Sequence, residues 1–319
     1  MAQRVIIDTD PGIDDALALI LAMNSPDLDV AAITTVCGNV DVDTATRNLF
    51  TTLSLLPGPY PVLARGAAKP LVRKPFPARH IHGLDGLGGS RPANSEQEAP
   101  GTGPALSHRD GAGEILHQLA SSSEPLTIIS LGPLTNLALA KDRDPDLFRQ
   151  TKQLIMMGGA YCGPGNITPA AEFNVFADPD AAEVVFNSGI PITAVGLDVT
   201  RQVRLDRQTI EGLVRERGSE VSRCVQAWTG RLLDYMLELE GVASMPLHDP
   251  LAVLTCLEPK LVVTQAMYVV VETEGRKTTG MTLADCRPIG QDWKNPPNIE
   301  VCTEVDSLRA LDMFLERMP

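Results

Sequence analysis

Aromatic side chains are scarce in this chain of 319 residues: two tryptophans, four tyrosines and seven phenylalanines, 4% of the total. A pocket that stacks a flat ligand has few rings to draw on. Basic residues are also short, with 27 Lys and Arg against 40 Asp and Glu and a formal net charge of −13. That balance argues against nucleic acid as a partner, because affinity for phosphate backbones comes mainly from Lys and Arg. It does not point to a cationic partner, since most surface carboxylates serve solubility. No apolar run approaches the ~18 residues a membrane span needs. Met1-Ala2-Gln3-Arg4 lead straight into strand-like sequence, with no signal-peptide pattern. The six cysteines, at 37, 162, 224, 256, 286 and 302, form no CxxC pair. They read as reduced thiols of a cytoplasmic protein, neither a disulfide framework nor a zinc site.

A hydrophobic fraction of 44% is too high for a disordered chain. Short β-branched runs at 4–9, 29–36, 61–64, 126–131, 152–157 and 192–196 alternate with helical patterns. The helices fall at 14–23, 43–55, 111–121, 179–187 and 220–240. Such alternation predicts an α/β fold with a mostly parallel central sheet flanked by helices. Later strands are expected at 261–271, 277–283 and 298–304, with a closing helix over 308–318. There is no internal repeat, so 1–319 reads as one domain. Residues 66–110 are rich in Gly, Pro, Ser and Arg, long for a connection, and read as a mobile loop region at the pocket edge. Ligands of parallel sheets bind beyond the carboxyl ends of the strands.

The densest chemistry lies at such an end. Asp8-Thr9-Asp10-Pro11-Gly12-Ile13-Asp14-Asp15 places four carboxylates within eight residues, between an apolar strand and an apolar helix. Any one of them alone would read as a cap or turn former. Four together must protonate or find a cation, and a hard divalent ion is the simple answer. An EF-hand is excluded, because the twelfth position from Asp8 is Leu19 and not Glu. A strand ending in Asp-x-Asp also resembles the aspartyl-nucleophile phosphatases of the haloacid dehalogenase type, with Asp8 as nucleophile. The later Lys and acidic pair of that class have no match here. A ribose-binding or nucleoside-binding protein is the non-enzymatic reading.

Further motifs follow in order: Thr35-Val36-Cys37-Gly38-Asn39-Val40, His82-Gly83-Leu84-Asp85-Gly86-Leu87-Gly88 and Leu131-Gly132-Pro133-Leu134-Thr135-Asn136-Leu137. Then come Met156-Met157-Gly158-Gly159, Gly165-Asn166, Ala171-Glu172-Phe173-Asn174, Leu197-Asp198-Val199-Thr200 and His248-Asp249-Pro250. With the aspartate-rich start, this series resembles the nucleoside hydrolases, the inosine–uridine-preferring nucleoside N-ribohydrolase family, along nearly the whole chain. The resemblance implies a Rossmann-like nucleoside hydrolase fold and Ca²⁺-dependent cleavage of ribonucleosides to free base and ribose, in nucleoside salvage. It implies Ca²⁺ ligands at Asp10, Asp15, the Leu131 carbonyl and Asp249. Asp10 would also be the base that activates water, and His248, an imidazole suited to titrate near neutrality, the group that assists the departing base. Asp14, Asn39, Asn166, Glu172 and Asn174 match sugar-binding positions. His82, Met157, His248 and Asp249 also match positions at the nucleoside.

Glu172 and Asn174 alternate across Phe173, so an extended segment would point both one way. Asp8 and Asp198 are expected to support neighbouring residues. On the helix over 220–240, Trp228, Arg231 and Tyr235 are spaced three and four apart and can share a face, as candidate base contacts. His248 points to inosine–uridine-type or pyrimidine-preferring specificity. His80, His108 and His117 lack motif context and read as surface residues. The 90–108 segment has no match in the family's motifs. The resemblance further implies a homodimer or homotetramer.

Overall fold

The computed structural model describes residues 2–90, 105–287 and 295–319. Gln3–Thr9 (β1) and Leu28–Thr35 (β2) bury most of their residues on both faces, as strands inside a parallel sheet do. Between them Ile13–Met23 (α1) is apolar on nearly all sides and almost wholly buried. Each of its buried Leu and Ile side chains contributes about 1.5–3 kcal/mol, which fixes the loop between β1 and α1 at both ends.

The alternation continues through Val42–Ser54 (α2), Val62–Arg65 (β3), Arg79–His82 (α3), Gly111–Ser121 (α4), Thr127–Ser130 (β4), Thr135–Arg143 (α5) and Pro145–Phe148 (α6). Next come Gln153–Met157 (β5), Phe173–Ala177 (α7), Pro179–Phe186 (α8), Ile192–Val195 (β6), Leu197–Thr200 (α9), Arg204–Asp206 (β7), Arg207–Arg217 (α10) and Glu220–Glu240 (α11). Ser244–Pro246 (β8), His248–Leu257 (α12), Val262–Met267 (β9), Val269–Val271 (β10), Thr282–Ala284 (β11), Ile299–Val305 (β12) and Ser307–Arg317 (α13) complete the chain. Asp41, Asp110, Asp178 and Asp206 each accept a backbone N–H at a helix start. Part of the acid excess is thus used in caps.

Eight strands form one sheet in the order β3-β2-β1-β4-β5-β6-β12-β9, with only the β12–β9 pair antiparallel. Alternate residues of β1 enter different hydrophobic clusters: Val5 and Ile7 lie in one, Ile6 in the other. The expected helix-flanked, mostly parallel sheet is therefore present. Its order reverses between β1 and β4, and this switch point is where a crevice opens outside the carboxyl ends. The aspartate-rich loop after β1 and Leu131-Gly132-Pro133 after β4 both lie there.

Three expectations need correction. The 261–271 run is not one strand: a 3₁₀ turn, Pro259–Leu261, precedes β9, and the chain leaves the main sheet at Tyr268. The side chain of Asn298 bonds both the N–H and the C=O of Val269, which ends the ladder, and β10 pairs with β11 instead. The 277–283 run is strand only from Thr282, because Gly280 adopts φ +79° and donates to the Glu272 carbonyl, closing a turn. The 172–174 segment is not extended throughout: Glu172 is, but Phe173 and Asn174 already belong to α7. Glu172 caps α7, accepting the N–H groups of Asn174 and Val175.

The described part of 66–110 is tied to the body of the protein. Asp178 accepts from the Leu71 N–H, Arg73 pairs with Asp180, and Asn48 donates to the Asp85 carbonyl. Most of the 90–108 segment, residues 91–104, lies outside the described residues.

Candidate active site

The floor of the crevice is acidic. Asp10 is fully buried; its Oδ2 accepts the Asn39 N–H at 2.6 Å, while its Oδ1 has no partner among the described residues. A Cβ on Gly38 would sit 1.9 Å from Asp10 Oδ2, and one on Gly132 would sit 2.5 Å from Oδ1. Both loops therefore need glycine to admit this carboxylate. Asp15 is held on all sides: Oδ1 accepts from Thr9 Oγ1 and the Asp10 N–H, and Oδ2 from the Gly12 N–H and Asn39 Nδ2. Asp249, near the start of α12, comes to the same place, and one carboxylate oxygen from each of Asp14, Asp15 and Asp249 lies within 4.8 Å of the others.

Burial raises the pKa of all four groups, that of Asp14 to about 6. Mutual repulsion adds to it: Asp15 raises Asp10, Asp14 raises Asp15, and Asp14, Asp15 and Asp10 raise Asp249. Among the described residues no lysine or arginine pairs with any of the four. The group within salt-bridge reach is His82, whose Nδ1 is 3.9 Å from Asp14 Oδ1. Among the described residues the buried Oδ1 atoms of Asp10 and Asp14 find no hydrogen-bond partner. An oxygen-only donor set with unmatched negative charge fits a hard divalent cation.

The ligand set read from the sequence and the tight carboxylate cluster do not coincide. Asp14 belongs to the cluster in place of Asp10, which adjoins it with a free oxygen. The Leu131 carbonyl accepts from Asn174 Nδ2 at 2.7 Å, and its second lone pair remains for another contact.

A cavity of about 410 Å³ opens above this floor. Asp14, Asn39, His82, Leu131, Met157, Asn166, Glu172, Asn174, His248 and Asp249 all line it. Glu172 is held by three N–H groups, from Gly159, Asn174 and Val175. Burial raises its pKa and these bonds counter the rise. Asn166 Oδ1 accepts from the Phe173 N–H.

Asp8, expected behind the metal ligands, is buried and does not line the cavity. It accepts from Thr34 Oγ1 and Asn136 Nδ2, and burial raises its pKa to about 7. Asp198, also expected to support a neighbour, accepts the Tyr161 and Cys162 N–H groups.

The histidines differ from expectation. His82 Nδ1 accepts the Ile13 N–H at 3.1 Å, so that nitrogen carries no proton, and burial lowers its pKa to about 4. His248 Nδ1 bonds Thr200 Oγ1 at 2.7 Å. Burial, with Arg201 and Arg204 nearby, lowers its pKa to about 3. His248 was expected to titrate near neutrality; it is held neutral instead. His80 is exposed, as expected, but lies on the cavity rim.

Of the candidate base contacts, Tyr235 lines the cavity and Trp228 and Arg231 do not. Trp228 is wholly buried in the core, where a Cβ on Gly88 would meet its carbonyl at 2.3 Å. Trp228 and Tyr235 lie two turns apart on nearly one face, so they are separated along the axis by about 10 Å. One end of α11 packs on the body and the other reaches the cavity. Sequence reasoning missed Leu232, Met236 and Leu239 on α11, together with Arg201 and Arg204. The apolar spacing of 232, 236 and 239 marked a buried face, and the Leu197–Thr200 motif ends beside Arg201. Neither signal separates a core contact from a cavity contact.

The phosphatase alternative is not favoured: Asp8 is held by Thr34 and Asn136, outside the carboxylate cluster beside the cavity, and the family that the chain matches is another class of enzyme. The chain matches the family model described as inosine-uridine preferring nucleoside hydrolase over residues 5–312. The pyrimidine-specific ribonucleoside hydrolase RihA of Salmonella schwarzengrund (strain CVM19633) is 42% identical over 325 residues, covering 100% of this chain and 99% of that protein. Among solved structures, a plant nucleoside hydrolase superposes with a TM-score of 0.88 at 33% identity, covering 100% of this chain and 99% of the other. A purine-preferring ribonucleoside hydrolase from Gardnerella vaginalis gives a TM-score of 0.88 at 29% identity, covering 99% and 98%. The carboxylate floor at the switch point, the amide-lined cavity and these likenesses have one reading: the chain belongs to the inosine–uridine-preferring nucleoside hydrolase family and is a ribonucleoside hydrolase.

Proposed function

We propose that this enzyme hydrolyses the N-glycosidic bond of pyrimidine ribonucleosides, using one Ca²⁺ held by Asp10, Asp15, Asp249 and the Leu131 carbonyl. The observation that carries the reading is the buried carboxylate floor with two unpartnered oxygens beneath a cavity sized for a small ligand. When bound, the cation neutralises the carboxylates, acidifies a water and orients hydroxyls. Asp10 keeps Oδ1 free to take a proton from the attacking water, while the Asn39 N–H on Oδ2 holds the carboxylate in place. Asp14 and Asn39 bind the ribose diol, and Asn166, Glu172 and Asn174 its 5′-hydroxyl side, beside Met157. Their negative charge and dipoles favour the oxocarbenium-like transition state.

His248 shares a hydrogen bond through Nδ1 with Thr200 Oγ1, and in the neutral tautomer that accepts there its proton sits on Nε2. It can then hydrogen-bond the departing base without becoming charged, with His82 nearby. For the base, the cavity offers Tyr235, Phe173 and the apolar face of α11. Among the described residues the close aromatic pair is Phe76 with Phe176, neither of which lines the cavity. A site without paired rings suits the smaller bases, and the name of the Salmonella relative points the same way.

The test is a steady-state comparison over a ribonucleoside panel with added Ca²⁺. Uridine and cytidine should exceed inosine and adenosine in kcat/KM by about tenfold or more. Uridine should exceed 2′-deoxyuridine by about 100-fold. Inosine as the best substrate would overturn the base assignment, and equal rates on uridine and deoxyuridine the diol contact.

Metal binding should also appear as stability. Saturating Ca²⁺ binds the folded state alone, adding about 2.7 kcal/mol at 100 times Kd, or roughly 4 °C in Tm for a chain of this length. A Tm unmoved by Ca²⁺ after chelation would contradict the site. We also take residues 1–319 to act as one domain, in nucleoside salvage in the cytoplasm, as a homodimer or homotetramer. Free thiols at all six cysteines support the compartment, and the family resemblance supports the assembly.

A further inference from the structure

Arg201 lines the cavity but belongs to neither the carboxylate floor nor the sugar-binding set. Its Nη1 donates to the Pro164 carbonyl at 2.9 Å and its Nη2 to the Gly165 carbonyl at 2.7 Å. The next residue is Asn166. Residues 162–164 are exposed and the segment 161–172 has no helix or strand, so little apolar burial sets its path. A tight backbone turn holds its middle, with the Gly165 and Asn166 N–H groups donating to the Pro169 and Ala171 carbonyls, and side chains hold the rest. Asp198 grips its start through the Tyr161 and Cys162 N–H groups at 2.9 and 2.8 Å, and Arg201 grips the two carbonyls before Asn166. Both come from α9 or the residue after it, which also carries Thr200, the partner of His248. Asn166 Oδ1 is bonded to the Phe173 N–H. Its Nδ2 has no protein partner among the described residues and is free to serve the cavity.

We propose that Arg201 is a positioning residue of the sugar wall: its guanidinium clamps the Pro164 and Gly165 carbonyls and thereby fixes where Asn166 presents Nδ2. Arginine suits this task because its planar fork fixes two acceptors at once, whereas a lysine ammonium is a single point charge on a flexible stem. Arg201 acts through Asn166 and not on the substrate. The proposal rests on the reading above that Asn166 contacts the 5′-hydroxyl side of ribose.

The experiment measures kcat and KM for uridine and 5′-deoxyuridine with wild-type enzyme, Asn166→Ala, Arg201→Lys and the double variant, after melting curves show that each is folded. Loss of one hydrogen bond to the sugar corresponds to about five- to tenfold in kcat/KM. Asn166→Ala should cost that much on uridine and little on 5′-deoxyuridine. Arg201→Lys should show the same substrate-selective loss, somewhat smaller. The double variant should be no worse than Asn166→Ala, because residues acting through one contact are not additive. Equal losses on both substrates for Arg201→Lys, or losses that multiply in the double variant, overturn the proposal while leaving the sugar wall standing. If Asn166→Ala itself does not distinguish the two nucleosides, the sugar-wall reading fails and the clamp has no sugar contact to act through. Arg201→Met, which keeps the stem and removes every donor, should match or exceed the Lys variant and supplies a second arm should Arg201→Lys not fold.

Discussion

Asp10→Asn should lower kcat on uridine by about 10³-fold, within the usual range for removing a general base. The substitution keeps the size of a side chain wedged between Gly38 and Gly132, where a Cβ on either glycine would already collide with it. It also keeps an acceptor for the Asn39 N–H. What it removes is the charge and the free, proton-accepting Oδ1. Because burial and then like-charge repulsion from Asp15 raise the pKa of Asp10, removing the charge relieves both, so the Tm of the metal-free enzyme should not fall. Asp10 is also a proposed metal ligand, and the assay must therefore run at saturating Ca²⁺. A loss smaller than tenfold under those conditions would remove Asp10 from its role as base.

The parts of this site that were legible in the sequence are those set by local spacing. Asp8 to Asp15 could be recognised because a buried strand and a buried helix flank four acids, and both elements form as expected. The sheet was legible from its β-branched runs, and its order placed the loops after β1 and β4 side by side. What remained hidden depends on distant parts of the chain. That Asp14 joins Asp15 and Asp249 follows from how α12 packs against α1, which no local pattern encodes. Glu172-Phe173-Asn174 has the alternation of a strand, yet the Glu172 carboxylate satisfies three N–H groups and caps a short helix. A cap of this kind overrides a period read over three residues. On α11 the spacing of Trp228 and Tyr235 gave a shared face, but height along the helix decided which ring reached the cavity. His248 looked like a residue poised to titrate. Its burial, and then two arginines unmarked by any motif, keep it neutral.

Removing the cation should have the other large effect. Without it, Asp10, Asp14, Asp15 and Asp249 face one another, and burial, joined by like-charge repulsion at Asp10, Asp15 and Asp249, raises their pKa values and favours their protonated forms. A protonated Asp10 cannot accept a proton from water, and the ribose diol loses its anchor. Uracil release should then fall by at least about 10³-fold, since base activation alone contributes 10²–10⁴-fold. Asp249→Ala should reproduce the loss without chelator. It removes one oxygen donor from the floor and leaves Asp10 and its Asn39 contact in place.

The most direct measurement is the rate of uracil release from uridine by metal-stripped enzyme as Ca²⁺ is titrated back. The account predicts negligible release in excess chelator and saturable recovery to the full rate, with one Ca²⁺ bound per chain at the plateau. Full activity in chelator, or recovery that does not saturate with one ion per chain, would contradict it.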